Sequence, residues 1–145
     1  MRLSRPRGGD GRREDGLGAA VPARRSRWGY LWAAPNTLVG LLAAATVRGR
    51  AVRWRGTLLI EQSRGGVAWF IRRRGFAAIT LGHVIVVVGR AGDRLLAHEL
   101  THVGQHERWG VAFYPAYLLA SVSGYRRNPF ERAARRVEEE LARGR

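Results

Sequence analysis

The apolar positions of this chain change period four times, and each change marks an element. Residues 28–47 carry no charge at all. Length alone would let such a run cross a membrane, but Pro35-Asn36-Thr37 interrupts it with a helix-start signal, and residues 38–47 are too short to span. The reading that fits best is a helix capped near Asn36 or Thr37, either buried in the domain or resting on a membrane surface. A spanning segment, or a signal peptide ending at Ala43-Ala44-Ala45, is the alternative. Residues 51–89 then turn β-like. Val52-Arg53-Trp54-Arg55 and Leu58-Leu59-Ile60-Glu61 read as strands, Arg64-Gly65-Gly66 as a turn, residues 67–71 as a returning strand, and residues 78–88 as the strongest strand of the chain. Together they predict a small antiparallel sheet.

The period then becomes helical. Asp93 is placed to cap a helix over residues 94–109, with Leu96, Leu100 and Val103 on one face. A second uncharged run, residues 109–125, contains Pro115, Ser121, Ser123 and Gly124, which argues for a core or surface-seeking helix rather than a membrane span. Asn128-Pro129 opens a last amphipathic helix in which Phe130, Ala133, Ala134, Val137 and Leu141 follow at helical spacing. The fold class is therefore α+β, a small sheet followed by two main helices.

Composition sharpens this outline. Residues 1–27 are rich in Gly, Arg and Pro, with little apolar surface to bury, and are expected to form a disordered basic arm ahead of a single domain over residues 28–145. The net charge of +15 suggests nucleic acid or an anionic membrane as partner, yet it is peripheral. Residues 1–27 hold eight Arg against three acids, residues 48–74 eight against one, and residues 126–145 seven against four. The remaining stretch is neutral, so nucleic-acid binding is not expected. The absence of cysteine excludes disulfides, a thiol nucleophile and Cys-type zinc sites. Any metal must sit on His and carboxylates.

The neutral stretch contains His98-Glu99-Leu100-Thr101-His102. Two imidazoles four residues apart stand on one helix face and can share a metal ion, with Glu99 beside them as a general base. Shuffling this composition would yield such a pentad in roughly one sequence in two hundred, so an ordinary amphipathic helix is the weaker explanation. Zinc with an open position takes three protein ligands. His106 is about 12 Å of helix rise from His98 and cannot join it. A metzincin would need Gly at 105 and His at 108, where Gln105 and Arg108 stand. Two candidates remain downstream: Glu131, and the run Glu138-Glu139-Glu140, which reads more simply as a solvated helix end. Glu131 has a competing role, because Asn128 to Glu131 has the spacing of a capping box. His83 reads as a packed strand residue, and Tyr125 as amphipathic packing that could also donate a hydroxyl to an oxyanion.

His-Glu-x-x-His followed by Glu131-x-x-Ala134 on a later helix resembles the gluzincin metallopeptidases, especially their minimal members. The words Thr80-Leu81-Gly82-His83-Val84-Ile85, Glu107-Arg108-Trp109-Gly110 and Asn128-Pro129-Phe130-Glu131 are also similar to a group of small, uncharacterised bacterial zincin-like proteins. The resemblance implies a minimal zincin-like fold and zinc held by His98, His102 and Glu131. It also implies Glu99 as general base for peptide-bond hydrolysis, and the strand around residues 79–88 as the edge where a peptide or protein substrate pairs. The chain departs from that pattern at Arg135, where membrane-linked gluzincins tend to place an acid that orients a ligand histidine, and at Ala133. The rival expectation is a non-catalytic zincin-fold module for binding or scaffolding at an anionic membrane surface. The expected location is cytoplasmic, with membrane association as its variant.

Overall fold

The computed structural model describes residues 27–143. The basic arm expected over residues 1–27 lies outside the described residues except for Arg27, which opens a helix. Helix α1 (Arg27–Trp32) and helix α2 (Ala34–Ala45) lead into strands β1 (Arg48–Trp54) and β2 (Thr57–Arg64), helix α3 (Gly66–Arg73), strands β3 (Ala78–Leu81) and β4 (Val84–Val87), and the long helix α4 (Asp93–Trp109). A 3-10 turn at Gly110–Ala112, helix α5 (Phe113–Ser121), a second 3-10 turn at Tyr125–Arg127 and helix α6 (Pro129–Arg143) complete the described chain.

The class is α+β, as the sequence predicts, but the sheet is mixed rather than antiparallel. Its order is β1-β2-β4-β3. β1 and β2 form an antiparallel hairpin, turned by Arg55 and Gly56, both at positive φ. β2 then pairs parallel to β4, Leu58 facing Val84 and Ile60 facing Val86. The parallel pairing arises because α3 carries the chain across the sheet and β3 is laid down first, outside β4.

Two strand assignments change for local reasons. Residues 67–71 belong to helix α3. Gly65 and Gly66 take positive φ and start it, and Ala68 and Ile71, three apart, are its buried positions, a helical spacing that a short apolar run conceals. Residues 78–88 form a hairpin, not one strand, because Gly82 takes φ +60° at the first position of a two-residue turn. A Cβ at Gly82 would overlap the Thr37 backbone, so the turn is pressed against α2.

The all-apolar β4 is buried on both faces. Val84 and Val86 pack with Ala44, Ile60 and Ile71 on the α2–α3 side, while Ile85 and Val87 pack with Leu96, Leu100 and Val103 of α4 and Leu141 of α6 on the other. An interior strand covered on both sides reads as a continuous apolar run rather than an alternating one. The sheet therefore holds α4 rigidly by its Leu96–Leu100–Val103 face and leaves the adjacent face, with His98 and His102, turned toward α6.

The uncharged residues 28–47 break at Ala33, and no helix among the described residues is long and apolar enough to cross a membrane. Asn36 does not cap α2 by a side-chain bond. It is buried, and its amide donates to His106 Nδ1 at 2.8 Å and to the Gly110 carbonyl at 2.7 Å. Nor does Asp93 cap α4: Gly92 holds that position and Asp93 is the first helical residue, where its charge favours the helix dipole.

Candidate metal centre

Helices α4 and α6 pack along their length, and the fully buried Ala134 has no bulk to keep them apart. This brings Glu131 to the two histidines. His98 Nε2 and His102 Nε2 are 3.2 Å apart, Glu131 Oε1 lies 3.3 Å from His102 Nε2, and Glu131 Oε2 lies 3.5 Å from His98 Nε2. All three side chains are buried or nearly so. A tetrahedral ion with bonds of about 2.0–2.1 Å needs ligand atoms about 3.3–3.4 Å apart, so the three groups stand at metal-ligand separations.

The hydrogen bonds around the site determine which ring atoms face inward. Gln105 Nε2 donates to the Phe130 carbonyl at 3.0 Å, which turns its Oε1 toward His102 Nδ1 at 2.9 Å. His102 therefore carries its proton on Nδ1 and presents a lone pair at Nε2. His98 Nδ1 lies 3.4 Å from Glu138 Oε2, which favours the same tautomer. Two imidazole lone pairs and a carboxylate then converge on one point. Glu131 Oε2 is buried without a hydrogen-bond partner, an arrangement that costs free energy unless a cation fills it.

Electrostatics agree with the geometry. Burial by itself raises the Glu131 carboxyl, but the facing His102, His98, Tyr125 and Tyr117 outweigh it and hold the group well below the usual carboxylate range. Burial by itself lowers His102, but Glu131, Glu99 and Gln105 reverse this and raise it. The field that favours a proton on His102 equally favours a divalent cation between the same groups. Two nitrogens and a carboxylate suit a divalent transition metal rather than Mg²⁺ or Ca²⁺.

Glu131 is not the partner in a capping box. Asn128 Oδ1 accepts from the Phe130 N–H at 2.9 Å and so caps α6, as the sequence predicts, but the Asn128 N–H bonds the Gly124 carbonyl at 3.2 Å. Glu131 is held instead by the Tyr117 hydroxyl, which donates to Oε1 at 2.7 Å. Tyr117→Phe is expected to keep the fold and weaken metal affinity by about ten- to a hundredfold, the range for loss of an outer partner of a ligand. Titration against a chelating dye measures this.

Glu99 is buried, and its Oε2 accepts from the Thr80 hydroxyl of β3 at 2.6 Å. Thr80 is fixed in turn, since its carbonyl accepts from His106 Nε2 at 3.3 Å. His106, fully buried, therefore joins α2 through Asn36 to β3 and stays out of the ligand set. Burial lowers its pKa to about 4. The native imidazole remains neutral where the unfolded one, near 6.5, has taken a proton, so stability present above pH 6.5 is lost as pH falls toward 4. The loss attributable to this group is about 3 kcal/mol. His102, which is raised, acts in the opposite sense, so the measurement compares urea unfolding of wild type and His106→Gln at neutral pH and at pH near 4.5. The variant should be weaker at neutral pH but flatter across that range.

His83 is outside the candidate centre. Its ring stacks on Tyr30 at 4.2 Å and bonds Glu107 at 2.9 Å and Thr37 at 2.9 Å, the packed role expected of it. Tyr125 contributes to the field at Glu131, and Arg135 holds it by donating to its carbonyl at 3.1 Å and lying over its ring. Glu138 is not merely solvated, since it supplies the acid beside His98 that Arg135 cannot. Glu139 and Glu140 are exposed, as a solvated helix end should be. Sequence reasoning missed Tyr117 and Thr80, which no spacing marks. Gln105 and Glu138 were findable: each stands seven residues, two helical turns, after His98 and Glu131 respectively.

A family model described as the eCIS core domain matches residues 68–110. The eCIS core family is a zincin-like, metallopeptidase-associated one. Its matched span runs from α3 through the sheet edge to the end of α4; it includes His98, Glu99 and His102 and ends before Glu131. No curated protein and no solved structure matches the chain.

Proposed function

We propose that the protein is a zinc-dependent peptidase of gluzincin type. The observation that carries the reading is the convergence of His98, His102 and Glu131, with Glu131 Oε2 buried and unpartnered between them. The match of residues 68–110 to the eCIS core domain supports it. His98, His102 and Glu131 would be the zinc ligands. Zinc held there would supply Lewis-acid polarisation of a peptide carbonyl and a water acidic enough to attack near neutral pH. Glu99, one residue after the first ligand, takes the proton of the attacking water and passes it to the leaving amide nitrogen. The Thr80 hydroxyl holds the Glu99 carboxylate in one orientation for both transfers. Glu138 and Gln105 keep the imidazoles turned with Nε2 inward, the task an acid at position 135 would otherwise perform.

β3 is the edge strand beside α4, and an extended substrate adding to it would run past Glu99. The Thr80 carbonyl is engaged by His106, so pairing would use the strand on the Ala78 side. The test is metal analysis of the purified full chain together with cleavage of a mixed peptide pool read by mass spectrometry. About one zinc per chain with defined cleavage sites is expected. Stoichiometric zinc with no cleavage of any peptide would replace the peptidase reading with that of a non-catalytic zincin-fold module.

A further inference from the structure

Helix α2 is packed inside out. The positions that it turns into the protein are Asn36, Gly40 and Ala44, while Leu38, Val39, Leu41 and Leu42 lie outside at 59, 48, 46 and 65% exposure. A Cβ at Gly40 would overlap the Leu81 carbonyl and Val84, so small residues face inward to let the helix approach the sheet closely. A helix with water on its outer side shows the reverse pattern, large apolar residues inward and polar ones outward. α5 likewise turns large apolar residues outward, although its inner side is aromatic rather than small. Phe113 is buried and Tyr117 is turned toward Glu131, whereas Leu118, Leu119 and the following Val122 are 67, 75 and 85% exposed.

The two helices are joined into one region by the 3-10 turn Gly110–Ala112, which touches α1, α2 and α5 and itself exposes Val111. Neither residues 28–47 nor residues 109–125 contain a charged side chain. Single exposed leucines are ordinary, but an apolar region of this extent signals something that covers it.

We propose that this region docks in the plane of an anionic lipid bilayer. Arg27, Arg48 and Arg50 bracket the first uncharged run, and Arg108, Arg126 and Arg127 the second; Glu107, beside Arg108, is engaged by His83. An apolar face rimmed by arginines matches acyl chains surrounded by acidic headgroups. Trp32 and Tyr125, at 59 and 45% exposure, add the aromatic side chains that favour the headgroup level. A second copy of this chain would bring one arginine rim against another, which disfavours self-association. Because no helix among the described residues can cross a membrane, the face lies on the bilayer rather than spanning it. This inference stands independently of the peptidase reading.

Flotation of the full-length protein with two kinds of vesicle tests it: phosphatidylcholine alone, and equal parts phosphatidylcholine and phosphatidylglycerol. Wild type should float with the anionic vesicles, and its tryptophan emission should be quenched by lipids brominated on the acyl chain. The double variant Leu42→Glu/Leu119→Glu, altered only at exposed positions, should keep its circular dichroism and lose binding by at least about tenfold. The milder Leu42→Ala/Leu119→Ala should show a smaller loss in the same direction. Failure of wild type to float would overturn the proposal. So would a double variant that floats as well as wild type, since arginines alone would then suffice. A wild-type dimer that the double variant dissociates would assign the face to a second copy instead.

Discussion

Glu99→Gln is expected, on the proposed peptidase reading, to abolish peptide cleavage while the metal content stays unchanged. Glutamine has nearly the same volume and can still accept the Thr80 hydroxyl bond, so β3 and α4 should remain in register. What is lost is a base, since an amide cannot take the proton of the attacking water. General-base catalysis contributes about 10²–10⁴-fold, and a loss of this size in kcat/KM with an unchanged metal content is the expected signature. Thr80→Val tests the positioning role separately. It should lower kcat by less than Glu99→Gln does, because it leaves the base in place but removes its hydroxyl partner. Equal activity in Glu99→Gln and wild type would overturn the assignment of the base.

Glu131→Gln is expected to release the metal and leave the fold standing. The substitution removes the one negative charge among the three proposed ligands, so affinity should fall by more than the roughly ten- to hundredfold typical of outer-shell partners. His98→Ala should do the same by removing a nitrogen. In metal-free protein the two changes differ: Glu131→Gln removes the interaction that raises His102, so the His102 pKa read by NMR should fall in that variant. Metal retained as tightly in Glu131→Gln as in wild type would assign α6 a purely structural part. Since α6 is capped by Asn128, with the Asn128 N–H bonded elsewhere, a loss of metal in that variant cannot be attributed to a lost helix cap.

The elements legible in the sequence are those governed by interactions a few residues apart. Asn128-Pro129 opens α6 where capping chemistry places it, and α4 follows the spacing of Leu96, Leu100 and Val103. The same periodicity put His98 and His102 on one face. Short apolar runs were less legible, because residues 67–71 satisfy a strand and a helix equally well until Gly65 and Gly66 adopt positive φ and Ile71 finds its place against Ile60 and Val86. The run at residues 78–88 misled for a related reason. β4 is covered on both faces, so nothing in its composition shows that the chain has already turned at Gly82.

By itself the sequence determined the α+β class, the two site helices and the pairing of His98 with His102, because helix spacing and capping act over four residues or fewer. It left open whether Glu131 caps a helix or faces the histidines. That was decided by the packing of α4 on α6 across Ala134, which brings residues about thirty positions apart to within 3.5 Å. Tyr117, Thr80 and Glu138 likewise acquire their roles only there. A hydroxyl or carboxylate has no partner until separate elements meet, and burial then makes leaving it unpaired costly.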